Sequence, residues 1–305
     1  AQKTLGEGRH PKVSTDEKLY KFGIIFYSRN AASKDICMDI VGWLQERKVS
    51  FALEENSQLE DITSLEYLKI DQLARDSEFL LVVGGDGSIL RTSRHCARYD
   101  TILVGLHRGT TGFLTQLTPE NAFEGMQRLI DGSENYKIQN RMMLQTSVIR
   151  EGKKITSFFG LNDTVLKVGS LSRIVNYRLF CNDTFIEEYP GDGLLIATPT
   201  GSTGYSLSNG GPIVRPDHDL LLMSPICTHK FNARPMVFSA HDHLTVRLFQ
   251  ENSFVKSKVI LTVDGQIGFQ LKEEDEVVVK AAPNTIKFAE IFPSDFYDLI
   301  RTKID

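Results

Sequence analysis

Apolar positions change their spacing part-way along this chain, and the change divides it. Phe22, Ile24, Ile25 and Phe26 form a short apolar run that predicts a buried strand over Lys21–Tyr27. Ile36, Ile40, Val41 and Leu44 then recur at helical spacing within Ala31–Lys48. The same reading predicts a strand over Ser50–Leu53 and a helix over Leu65–Arg75. It next predicts a strand over Phe79–Val83, a helix running to about Arg98, and a strand over Thr101–Leu106. Thr118 followed by Pro119 reads as a helix N-cap and first helical residue, and Gly132 as the residue that ends that helix. Strands alternating with helices imply a parallel sheet covered by helices.

Beyond Asn135 the helical spacing fades. Tyr136–Arg150, Lys154–Val168, Arg173–Phe180 and Thr184–Tyr189 read as strands, punctuated by the turn pairs Glu151-Gly152 and Asn182-Asp183. Gly193–Thr198 reads as a buried strand, and Met236–Phe249, Lys258–Val263, Glu276–Lys280 and Ile286–Phe292 continue the β character. A short helix is expected from about Ser294. The fold class expected is therefore an α/β N-terminal domain with a parallel sheet plus a β-rich, sandwich-like C-terminal domain. The expected boundaries are a mobile tail over 1–20, an α/β domain over 21–134, a β-rich domain over 135–275, and C-terminal strands and a helix over 276–305 that return to the N-terminal domain.

Composition narrows the function classes. The chain has 305 residues, 41% of them hydrophobic and 24% charged, with a formal net charge of −4. A mildly acidic chain argues against general nucleic-acid binding, which leans on clustered Lys and Arg. No stretch approaches the roughly 20 apolar residues of a membrane span. The four cysteines, Cys37, Cys96, Cys181 and Cys227, are scattered without a CxxC pair, which points to reduced thiols and a cytoplasmic setting.

Four polar segments interrupt the strands, and each carries chemistry. Gly84-Gly85-Asp86-Gly87 directly follows a strand and opens a helix. Its glycines permit close ligand approach, and the helix start offers N–H groups to phosphate. A bare tight turn explains those four residues equally well. The loop after Leu106 brings Phe113, which suits packing on a base or ribose, to the same sheet edge. Asn162-Asp163 sits between apolar strand residues, where the pair suits a diol or an adenine edge. Finally, Asp192-Gly193 opens a strand that runs into Pro199–Pro212, a stretch with four glycines, five Ser/Thr hydroxyls and no charge. A loop so polar after a buried strand needs hydrogen-bond partners, and a dinucleotide supplies them.

In this order and spacing, the segments resemble the NAD kinase family from Lys21 to the C-terminus. GGDG alone is shared with diacylglycerol, sphingosine and phosphofructokinase relatives, whereas Thr198–Pro212 and its coupling to Asp192-Gly193 and Asn162-Asp163 are far more specific. Cys227–Pro235 also looks like the family's segment. The resemblance implies transfer of the γ-phosphoryl group of ATP to the 2′-hydroxyl of NAD's adenosine ribose, with Mg²⁺ or another divalent cation arriving on ATP. It implies that Asp86 accepts the proton. It places NAD or nucleotide contacts at Gly85, Gly87, Arg91, Phe113, Asn162, Asp163, Arg173, Asp192, Gln266 and the run Thr203, Gly204, Tyr205, Ser206, Leu207 and Ser208. It also implies a homo-oligomer, dimer or tetramer, in which subunits contribute to each other's sites. Arg94 and Arg108 also stand near the glycine loops, as possible phosphate contacts or as solvated charges. The chain departs from the family with Asp163 where Glu is frequent, Gly204 where Ala is usual, His107 in place of Asn, and Pro190 where some members carry a basic residue. Two rival functions remain at this stage, a lipid kinase of the same superfamily and a non-catalytic NAD-sensing protein.

Overall fold

A computed structural model describes residues 18–26, 31–57, 65–107, 112–169, 174–249, 258–293 and 295–303. Of the expected tail over 1–20, residues 1–17 lie outside the described residues, and Tyr20 already belongs to the first strand. The N-terminal strands are β1 (Tyr20–Phe26), β2 (Phe51–Glu54), β3 (Tyr67–Leu68), β4 (Ser77–Val83) and β5 (Ile102–Leu106). Helices α1 (Ala31–Glu46), α2 (Ile70–Asp76), α3 (Asp86–Cys96) and α4 (Ala122–Asp131) connect or follow them. The later strands are β6 (Lys137–Arg141), β7 (Leu144–Arg150), β8 (Lys153–Gly160), β9 (Asp163–Val168), β10 (Val175–Cys181), β11 (Thr184–Gly191) and β12 (Gly193–Ala197). After the short helix α5 (Tyr205–Ser208) come β13 (Leu220–Ile226), β14 (Met236–Ser239), β15 (His243–Phe249), β16 (Val259–Val263), β17 (Ile267–Leu271), β18 (Asp275–Ala281) and β19 (Ile286–Glu290). Helix α6 (Phe296–Lys303) follows.

The N-terminal α/β domain is built on a seven-stranded sheet in the order β3-β2-β1-β4-β5-β19-β6. Every pairing in it is parallel except that of β19 with β6. Its central strands, β1, β4 and β5, are apolar on both faces, because helices cover both. Phe22, Ile24, Phe79, Leu81 and Val104 face α1 and α4, while Ile25, Leu80, Val82 and Leu103 face α2 and α3. The second of these clusters also takes in Met143 and Leu161, so α3 is buried against both parts of the chain.

The C-terminal domain consists of two six-stranded antiparallel sheets, β11-β10-β15-β18-β7-β8 and β14-β13-β12-β9-β16-β17. They share one core, with Val148, Tyr177, Leu179, Val246 and Val277 from the first sheet meeting Leu166, Ile196, Met223 and Leu261 from the second. The sandwich expected from period-two patterning is therefore present.

Several boundaries differ from the sequence reading. The expected helix over Leu65–Arg75 begins only at Ile70, because β3 pairs with β2 and Lys69 stays extended at φ −63°, ψ 145°. The helix expected from Thr118-Pro119 begins at Ala122, behind a turn in which Asn121 Oδ1 accepts the Thr118 N–H at 2.8 Å. Tyr136–Arg150, Lys154–Val168 and Met236–Phe249 each split into two strands that belong to different sheets. A sheet change is invisible to periodicity when apolar residues continue through it. Strands β13 and β17 escaped the reading altogether. Leu220–Met223 was a visible apolar run, and Ile267, Phe269 and Leu271 alternate.

Leu166 is fully buried at the middle of β9, between β12 and β16. Leu166→Ala should therefore cost about 2–5 kcal/mol. The expected outcome is a lower denaturation midpoint with native far-ultraviolet dichroism.

Candidate active site

Strand β4 ends in Gly84, whose N–H donates to the Leu106 carbonyl at 2.9 Å and so pins the end of β4 to β5. Helix α3 starts two residues later at Asp86, with Gly85 as its N-cap. The strand order turns about β1 and β4, and ligands bind open α/β sheets at the carboxyl ends of strands at such a reversal. The Asp86 carboxylate is held in place from across the gap. Its Oδ2 accepts the Phe113 N–H at 3.1 Å and its Oδ1 accepts the Leu114 N–H at 3.2 Å. Gly112 makes this approach possible, because a Cβ there would lie 2.2 Å from Asp86 Oδ1.

A second group faces it from the C-terminal domain. Where the chain leaves β8 for β9 it crosses between sheets, and Asn162 lies at that corner. Asp264 clamps the corner: Oδ2 accepts the Leu161 N–H at 3.0 Å, and Oδ1 accepts those of Asn162 and Asp163 at 2.7 and 3.2 Å. Asp264 and Gly265 have φ of +51° and +63°, the two left-handed residues of a tight hairpin turn between β16 and β17. Burial nevertheless pushes the Asp264 carboxyl up, against the three N–H donors and Arg94 that pull it down. Asp163 is buried beside it, and burial, reinforced by the Asp264 charge, pushes its carboxyl up to about 7. Asn162, Asp163, Tyr205 and Asp264 line one cavity of about 420 Å³.

The polar loop after β12 is more ordered than its composition suggests. Thr198 donates its hydroxyl to the Leu161 carbonyl at 2.6 Å and accepts the Gly201 N–H at 3.1 Å. Gly201 packs so tightly on this corner that a Cβ would lie 2.2 Å from the Asn162 carbonyl oxygen. The loop then makes a 3-10 turn over Thr200–Thr203 and the single helical turn α5. Ser202 Oγ donates to the Val214 carbonyl and accepts its N–H, both at 3.0 Å. Thr203 lines a second cavity of about 260 Å³ together with Gly112, Phe113, Arg141 and Thr200. Arg141 is only 8% exposed, and burial lowers its guanidinium to about 10 against the upward pull of Asp86 and Glu290.

Two family models match the chain: the ATP-NAD kinase N-terminal domain over residues 22–134 and the ATP-NAD kinase C-terminal domain over 161–291. A curated NAD kinase of Natranaerobius thermophilus is 38% identical over 234 residues, 77% of this chain and 80% of that protein. The chain belongs to the ATP-NAD kinase family. A second NAD kinase, from Caldanaerobacter subterraneus, is 31% identical over 94% of this chain and 99% of its own length. Among solved structures, yeast NADH kinase complexed with NADH matches with a TM-score of 0.82 at 23% identity, over 93% of this chain and 87% of that one. An NAD kinase from Archaeoglobus fulgidus in complex with ATP matches at 0.66 and 21%, over 88% and 92%. These two establish the shared fold. The chain is an enzyme, a phosphotransferase of the ATP-NAD kinase family.

The residues expected from sequence are placed as follows in the structure. Phe113 and Thr203 line the first cavity and Asn162, Asp163 and Tyr205 the second, while Asp86, between Gly85 and Gly87, adjoins the first through its bond from the Phe113 N–H, and Gly204 lies beside the Asn162 side chain. Ser206 is buried, and Leu207 and Ser208 continue α5 behind Tyr205. Arg91 is exposed on α3. Asp192 stands at the opposite end of β12 from the polar loop, about 16 Å away by ordinary strand rise. Gln266 is tied to Gly87, with its Nε2 donating to the Gly87 carbonyl at 2.7 Å. Arg108 and Arg173 lie outside the described residues.

Sequence reasoning missed Asp264 and Arg141. Asp264 had a signal, since Asp-Gly between two apolar runs marks a hairpin, but it needed β17 to be recognised. Arg141 had none, because an arginine within a strand usually faces solvent.

Two outcomes test this geometry. Gly112→Ala should displace the Asp86 carboxylate and lower turnover by about 10²-fold, as misplacement on the ångström scale does, while the melting temperature changes little. For Asp163, the folded-state carboxyl titrates near 7 and the ordinary one near 3.8, so the native state holds an extra proton between those values. Stability is then fullest at low pH and falls as pH rises through that window. Asp163→Asn should flatten this decline and raise stability at pH 8 relative to wild type, measured by denaturant titration across pH.

Proposed function

We propose that the chain transfers the γ-phosphoryl group of ATP to the 2′-hydroxyl of NAD's adenosine ribose, giving NADP and ADP. The observation that carries this reading is Asp86, held at a helix start by two backbone donors from a facing loop, next to the cavity lined by Phe113 and Thr203. Each carboxylate oxygen has two lone pairs, so the bonds from Phe113 and Leu114 leave capacity for a ribose hydroxyl. Asp86 accepts the hydroxyl proton as the oxygen attacks phosphorus, the new O–P bond forms, and the bond from the γ-phosphorus to the bridging oxygen breaks to release ADP. The N–H groups at the start of α3 sit where negative charge accumulates on the transferred group.

Recognition of NAD is assigned to the residues expected from sequence. Phe113 and Thr203 flank the cavity beside Asp86, and Asn162, Asp163 and Tyr205 line the other. The neutral form that burial favours in Asp163 lets its carboxyl donate as well as accept, which suits a diol or a base edge. Among the described residues, no group of three or more acidic, His or Cys side chains is placed to hold a metal ion. A divalent cation carried on the phosphates of ATP would supply charge neutralisation there. Asp192 reaches the site through a homo-oligomer, from the neighbouring copy, because in its own chain it lies at the far end of β12. The setting proposed is cytoplasmic, in keeping with the free cysteines.

Incubation with NAD, ATP and Mg²⁺, followed by chromatography, should yield NADP. Asp86→Asn should lower turnover by about 10²-fold or more, the usual worth of a general base, with NAD affinity largely kept by calorimetry. Turnover equal to wild type in that variant would remove Asp86 from the mechanism.

A further inference from the structure

Arg94 lies on α3, eight residues after Asp86, and turns toward the C-terminal domain instead of toward the phosphate loop. Its Nη2 donates to Gln266 Oε1 at 2.9 Å, and its Nη1 stands 4.0 Å from Asp264 Oδ2. The other end of the Gln266 amide donates to the Gly87 carbonyl at 2.7 Å. Gln266 and Asp264 belong to the same tight turn, and Asp264 holds the backbone of Leu161, Asn162 and Asp163. The contacts close a circuit. From Gly87, next to Asp86, it runs through Gln266 to Arg94, on to Asp264, and so to the Asn162–Asp163 corner.

We infer that Arg94 and Gln266 are positioning residues, a clasp that sets the separation between Asp86 on the α/β domain and the Asn162–Asp163 corner on the β domain. The inference rests on the NAD kinase reading for its catalytic consequence. Each partner has a separate reason to be the residue it is. The planar guanidinium presents Nη1 and Nη2 side by side, so one rigid group hydrogen-bonds Gln266 through Nη2 while it holds the buried Nη1 4.0 Å from Asp264, an electrostatic contact and not a hydrogen bond. A lysine at this position keeps the charge beside Asp264 and loses that fork. The Gln266 amide both accepts and donates, which allows it to join Arg94 to a backbone carbonyl. Gln266 is exposed at the rim of the site, so its placement follows from these two bonds and not from burial. In-line transfer needs the hydroxyl, its base and the phosphorus aligned to within a fraction of an ångström. The two domains contribute opposite sides of that alignment, and this turn ties one to the other.

The test compares wild type with Arg94→Ala, Arg94→Lys, Gln266→Ala and the Arg94→Ala/Gln266→Ala pair in three measurements: kcat for NADP formation, Kd for NAD by calorimetry, and amide hydrogen exchange. Arg94→Ala and Arg94→Lys should lower kcat by about tenfold to a hundredfold, the cost of slight misalignment, with little change in Kd; Gln266→Ala should lower kcat over the same range, with any change in Kd additional because Gln266 is also an expected NAD contact. The double variant should be no slower than the worse single, because both remove one circuit. Amides of Leu161, Asn162 and Asp163 should exchange faster in Arg94→Ala and Arg94→Lys, with exchange elsewhere unchanged. Losses that multiply in the double variant would overturn the clasp, as would a loss confined to Kd. Unchanged exchange at the corner would overturn it whether or not NADP forms. Absence of NADP from the wild-type enzyme would instead count against the kinase reading, leaving exchange to judge the clasp.

Discussion

The whole site depends on one carboxylate, that of Asp264, which accepts three successive backbone N–H groups where the chain crosses between sheets. A strand that leaves one sheet for another exposes N–H groups that no ladder can satisfy. Asp264 satisfies them while holding its own backbone in a left-handed turn. The arrangement has an electrostatic cost, visible in the upward displacement of both the Asp264 and Asp163 carboxyls. The corner so held also receives the polar loop, which packs on it through Thr198 and Gly201.

The same economy recurs around Asp86. Two loops that approach this closely require glycine at one contact, and Gly112 supplies it. The Asp86 carboxylate thus has a structural role and a chemical role at once. It bridges the two strand-end loops through Phe113 and Leu114, and it keeps lone pairs directed to the space between them. Preorganisation of this kind means that little reorganisation is required when charge develops during transfer.

Much of this was legible in the residues. The apolar runs at Phe22–Phe26 and Phe79–Val83 announced buried parallel strands, because strands covered on both faces carry no alternation to confuse with a surface. GGDG after such a strand located Asp86, and the uncharged Pro199–Pro212 stretch located the loop that packs against Asn162. What escaped was long-range. Residues 160–163 read as one continuous strand because local pattern says nothing about which sheet a strand joins. Arg94 read as a phosphate contact or a surface charge because its partners, Asp264 and Gln266, are about 170 residues away in sequence.

Strand β19 has a consequence for how the molecule is made. It lies between β5 and β6 in the N-terminal sheet, yet it arrives some 180 residues after β5. On a ribosome, the first domain must therefore wait with the β5 edge unpaired while the whole sandwich is synthesised. Closing that edge brings together segments of very high sequence separation, the slow kind of contact in folding. The N-terminal sheet is thus completed by β19, after every strand of the sandwich has been made.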